Sequence, residues 1–97
     1  MREFILLMHN DAVAVTTPDM WDSYLSSLRG LRVFEGGSAI GAGRTFRKQG
    51  EPRPASEHLT GYIRLTAVSL DAAQELLSGN PVFECGGTIE IRELPRG

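Results

Sequence analysis

Ninety-seven residues suffice for one small domain, and 41% hydrophobic with 23% charged residues exclude a disordered tail, a collagen-like fibre and a membrane protein. Ten Lys+Arg against twelve Asp+Glu give a net charge of -2, without the basic excess of a dedicated nucleic-acid binder. A single cysteine forbids an internal disulfide and a thiolate metal cage, so the expected compartment is a reducing cytoplasm.

The chain reads as one domain over 1–97, with no targeting or membrane-spanning segment. The aliphatic run Phe4 to Met8 stops at His9-Asn10-Asp11 and predicts a buried strand over 2–9. Thr17-Pro18-Asp19 is a helix start: a capping hydroxyl, a proline suited to the first turn, and a carboxylate at the positive helix end. Trp21, Tyr24, Leu25, Leu28 and Leu31 follow at helical spacing, predicting a helix over about 18–32 whose stripe is core. Gly36-Gly37 reads as a turn into a second strand over roughly 38–46, thinned by Gly41 and Gly43. A polar loop, Arg47 to His58, leads to a third strand over Leu59–Val68 that alternates with period two. Ser69 caps a second helix carrying Leu70, Ala73, Leu76 and Leu77, which Gly79-Asn80-Pro81 ends. Gly86-Gly87 then opens a last strand over 88–94.

The order β-α-β-β-α-β predicts an α+β, ferredoxin-like fold: a four-stranded antiparallel sheet with two helices on one face. The first strand is apolar on both sides, with Phe4, Leu6 and Met8 on one and Ile5 and Leu7 on the other. A strand wet on one face normally alternates with polar residues, so the second face is expected to pack on another copy of the chain. A homodimer follows.

The residues resemble the YCII-related, or DGPF-type, family. The opening segment, Arg2 to Asp11 (REFILLMHND), is similar to the family's first strand and polar turn. Ser69-Leu70-Asp71-Ala72-Ala73, Asn80-Pro81 and Gly86-Gly87-Thr88-Ile89-Glu90-Ile91-Arg92 are similar to its C-terminal third. The segment that names one branch is eroded to Glu51 to His58 (EPRPASEH). The resemblance implies a dimeric α+β barrel in which the open sheet faces of two copies meet. One relative is a lyase on a chlorinated hydroxyhydroquinone, and its branch pairs a helix-one histidine with an aspartate of a D-P-[YF] motif. The matching positions here are Tyr24 and Asn80, which supply no acid/base couple near neutral pH, so that chemistry does not carry over.

His9 is the candidate acid/base, with Asp11 as the nearby carboxylate that fixes its tautomer; the plainer alternative is a polar residue closing a strand. By parity His9 shares the open face with Tyr62, Arg64, Glu90 and Arg92, a set able to hold a small anionic or phenolic ligand. The competing reading is a cross-strand ion pair of Glu90 with Arg64 or Arg92 that fixes register or the dimer interface. Arg44, at the far end of the second strand, would guard the cleft mouth, and His58 lies where the family's loop residues fall. Cys85 is read as buried or incidental, and His9, His58 and Cys85 lack metal-ligand spacing, so neither metal nor cofactor is expected. The functional expectation is a small polar or aromatic molecule bound on the open face, with a cofactor-free lyase or isomerase activity. The alternative is a non-catalytic dimeric interaction or regulatory module.

Overall fold

The computed structural model describes residues 1–96. Its elements are β1 (Arg2–His9), α1 (Pro18–Gly30), β2 (Phe34–Ala39), β3 (Leu59–Ala67), α2 (Leu70–Glu75), α3 (Pro81–Glu84) and β4 (Ile89–Leu94). The strands form one antiparallel sheet in the order β2-β3-β1-β4, the ferredoxin-like arrangement. Each helical crossover therefore carries the chain past one neighbouring strand to an edge of the sheet. No helix among the described residues is long and apolar enough to cross a membrane.

The caps follow from the sequence. The Thr17 side chain accepts a hydrogen bond from the Met20 backbone N–H, and Ser69 does the same for Ala72. Each satisfies a donor that the first helical turn leaves free. Phe4, Leu6 and Met8 of β1 face the helices, and Phe4 and Leu6 are fully buried. They meet Ile63, Leu65 and Ala67 of β3 and, from the helices, Tyr24, Leu28, Ala73 and Leu77. The apolar stripe of α1 is narrower than its sequence predicts. Trp21 and Leu25 are only partly buried and Leu31 is exposed, as is Leu70 at the start of α2.

Two sequence expectations need correction. The second strand lies at 34–39 rather than 38–46, and residues 40 to 58 form a long connection. The chain reverses earlier, at Arg32, which adopts a positive φ of 60° ahead of buried Val33. Gly36-Gly37 is thus inside β2, where a Cβ on Gly37 would lie 2.6 Å from the Tyr62 carbonyl oxygen. The glycine permits close approach in the ladder instead of making the turn. The second correction is at Asn80-Pro81, which begins the one-turn helix α3. Buried Asn80 caps it by accepting a hydrogen bond from the Phe83 N–H at 3.1 Å, with Pro81 in the first turn.

Gly86 and Gly87 bring the chain from α3 into β4. Gly86 has a φ of +86°, and a Cβ on Gly87 would stand 2.5 Å from a Val82 methyl. The loop between β1 and α1 is fastened to this turn. Asp11 accepts hydrogen bonds from the Thr88 N–H at 2.7 Å and the Thr88 hydroxyl at 2.6 Å. Those bonds hold the Asp11 carboxyl below its ordinary range.

Candidate functional site

The face of the sheet away from the helices carries the polar residues singled out by parity. Leu7 of β1 lies between Tyr62 and Glu90, and Ile5 lies between Arg64 and Arg92. Their charges are satisfied pairwise. Arg64 donates to Glu3 at 2.7 Å, and Arg92 donates to Glu90 at 3.1 Å. Arg64 therefore pairs with Glu3 of the neighbouring strand and not with Glu90. The Arg92 and His9 hydrogen bonds together hold the Glu90 carboxyl below its usual value.

His9 ends β1 on this face although the β1–β3 ladder is irregular at that point. Met8 is opposite Gly61 and His9 is opposite Leu59, so the extra residue, Thr60, belongs to β3. A bulge on the partner strand leaves the alternation of β1 intact. His9 keeps the open-face direction of Ile5 and Leu7, and its side chain is 20% exposed. Its Nε2 lies 3.2 Å from the Glu90 Oε1. The carboxylate that engages His9 is thus Glu90, whereas both oxygens of Asp11 are taken up by Thr88.

The same bulge carries His58 into place. The Asn10 N–H donates to the His58 carbonyl at 2.8 Å, and the Asn10 side chain donates to the Glu57 carbonyl at 3.1 Å. These bonds pin the loop end to β1 and set the His58 ring edge-on to that of His9, with centroids 4.7 Å apart. His9, His58 and Glu90 thereby come together from three separate segments. Arg44 does not join them: it is exposed in the connection after β2. Cys85 is buried, its Sγ 3.7 Å from the Val15 carbonyl oxygen, away from both histidines.

The helix side of the sheet holds a feature that sequence reasoning did not find. A cavity of about 320 Å³ opens between α1 and the β2–β3 edge, walled by Trp21, Leu25, Phe34, Met8 and Ile63. Gly37 and Gly61 line it with bare backbone, and Ser38, Thr60 and Tyr62 complete its strand wall. Its volume falls in the range of small-molecule pockets. Gly37 and Gly61, diagonal neighbours on adjacent strands, are the sequence signal for it, obscured because a Gly-Gly pair at 36–37 also reads as a turn.

Tyr24 and Asn80 are close together in the interior. The Tyr24 hydroxyl donates to the Leu76 carbonyl at 2.7 Å, while the Asn80 amide lies 3.7 Å from the Met8 sulfur. Burial pushes the Tyr24 phenol up, against a smaller opposing effect of a hydrogen bond with Asn80. Tyr24 packs in the core, and Asn80 caps α3.

The sequence matches no protein-family model and no curated protein. The fold is similar to a solved structure, the 5-chloro-2-hydroxyhydroquinone dehydrochlorinase from Burkholderia phenoliruptrix AC1100 in complex with 2,5-dihydroxybenzoquinone. The TM-score is 0.57 at 16% sequence identity, and the match covers 98% of this chain and 95% of the other. The likeness establishes a shared ferredoxin-like α+β fold. The similar protein is an enzyme bound to a small ring compound.

Proposed function

We propose that the chain is a homodimeric small-molecule-binding protein that holds a compact, largely apolar aromatic compound between α1 and the β2–β3 edge. The cavity carries this reading. Its walls are aromatic and aliphatic, and its glycines let a flat ring lie against backbone. The similar fold that binds a dihydroxybenzoquinone supports the choice of ligand class. None of the lining residues is a carboxylate, imidazole, amine or thiol, which favours binding over proton transfer at this position. Dimerisation through the open face is supported by the pairing of its charges and by half-buried Ile5 and Leu7 at its centre.

The hydrogen bond between His9 and Glu90 favours a second reading: a cofactor-free lyase or isomerase whose substrate lies on the open face. In it, His9 moves the proton, Glu90 orients the imidazole, and Tyr62 and Arg64 hold the substrate. A thermal-shift screen of hydroxylated benzenes and small aromatic acids separates the two. A ligand at a hundredfold excess over its dissociation constant stabilises the fold by about 2.7 kcal/mol. The cavity reading expects Leu25→Trp, which fills the space, to lose the response and His9→Ala to keep it. The opposite pattern selects the open-face enzyme. A flat screen with an intact dimer leaves the interaction-module alternative.

A further inference from the structure

The meeting of His9 and Glu90 with His58 offers metal-binding chemistry beyond the proton transfer that the second reading gives His9 and Glu90. Their donor atoms, one from each residue, all lie within 4.8 Å of one another. We propose that these three side chains form a binding site for a divalent transition-metal ion of the zinc class.

The donor set suits such an ion. Two imidazoles and one carboxylate are the ligands of many three-residue zinc sites, which leave a further position open to water or a small ligand. A tetrahedral ion with bonds of about 2.1 Å sets its donors about 3.4 Å apart. His9 Nε2 and Glu90 Oε1 already stand at 3.2 Å. The remaining adjustment falls to His58, whose exposed ring can turn without disturbing the core. The surroundings hold the other two ligands steady. Glu90 turns one oxygen to His9 and the other to Arg92, so a carboxylate on the metal through its first oxygen would keep an oriented second one. The backbone around the site is tied by His9 N–H to the Thr88 carbonyl at 3.0 Å and by Asn10 N–H to the His58 carbonyl at 2.8 Å. Each ligand comes from a different segment, so the ion would cross-link β1, the β3 entry and β4. This also explains why no ligand spacing is visible in the sequence: the three positions are 49 and 32 residues apart (58 minus 9, and 90 minus 58).

The cavity beside α1 shares none of these side chains, so failure of the metal site would leave the aromatic-ligand reading untouched, and the converse holds. The test is calorimetric titration of Zn²⁺ into the purified full chain near neutral pH, repeated with His58→Ala and Glu90→Gln. Co²⁺ serves as an optical probe of the ligands. The expected result is saturable uptake of one ion per chain, weakened at least about tenfold by either substitution. Co²⁺ should give ligand-field bands without the intense charge-transfer absorption of a thiolate. His58→Ala should leave the metal-free melting temperature unchanged, since the ring is exposed, while abolishing the rise in melting temperature that Zn²⁺ causes in the wild type. No saturable uptake, or uptake that either substitution leaves unchanged, would overturn the proposal and reduce the cluster to a hydrogen-bonded network.

Discussion

The two faces of the sheet are built from the same strands and differ in nearly every physical respect. Phe4, Leu6 and Met8 look toward the helices and are closed off from water, whereas Ile5, Leu7 and His9 alternate with them and stay partly open. On the helix side the polar groups that enter are capped or bonded to backbone, as Tyr24 and Asn80 are. On the other side charges are balanced pairwise, Glu3 with Arg64 of the neighbouring strand and Glu90 with Arg92 along β4. The first face is finished by its own helices. The second carries no helix, and its apolar centre is what the proposed second copy would cover.

The largest effect should separate those faces. Leu6→Ala is expected to cost about 2–5 kcal/mol of folding stability through lost burial and a residual cavity. Leu7→Ala, one position away, should leave the chain folded, with a penalty that shrinks once dilution takes apart the dimer. Chemical denaturation at two widely separated protein concentrations checks both. Equal, concentration-independent losses would mean that the open face works as a monomer core.

Asn80→Ala should come next, at about 1–3 kcal/mol, because it strips a buried cap and leaves the Phe83 N–H without its partner. Hydrogen exchange at Phe83 would report the local loss directly. Arg92→Ala should be nearly silent in folding stability, since the Arg92 side chain sits largely in solvent. A much larger cost would indicate that this pair is covered by a partner.

The smallest effect is a pH dependence at Asp11. Its carboxyl is held below the ordinary range chiefly by the Thr88 hydroxyl and then by the Thr88 N–H. A depressed carboxyl contributes stability that is complete above its unfolded-state pKa and is lost as pH falls through the lower folded-state value. Protection of the Thr88 amide should therefore fade on acidification through the carboxylate range, and Asp11→Asn should flatten that response. A fade in the same window with Asp11→Asn would assign it to another group.

How much of this was legible in the sequence depends on what fixes each feature. β1, α1, β3 and β4 carry their own signals: aliphatic alternation, helical spacing and a capping hydroxyl at Thr17 or Ser69. The same alternation placed His9, Tyr62, Arg64, Glu90 and Arg92 on one face, because parity survives when the bulge lies on the partner strand. β2 was misplaced because a Gly-Gly pair signals a turn and close strand approach equally well. Asn80-Pro81 both ends one helical segment and caps the next, so α3 was read only as a stop. The His9–His58 meeting and the cavity depend on where a ladder bulges and on the register that sets Gly37 and Gly61 diagonally on one face, and neither leaves a local pattern.

The central claim is that the helix side binds a ligand while the open side pairs with another copy. It is tested most directly by methyl and indole NMR during titration with a hydroxylated benzene that gives a thermal-shift response. The account predicts that the Met8 methyl, the Ile63 methyls and the Trp21 indole signals move, while the Ile5 and Leu7 methyls hold their dimer positions. Shifts confined to Ile5 and Leu7, with the cavity signals unchanged, would contradict it.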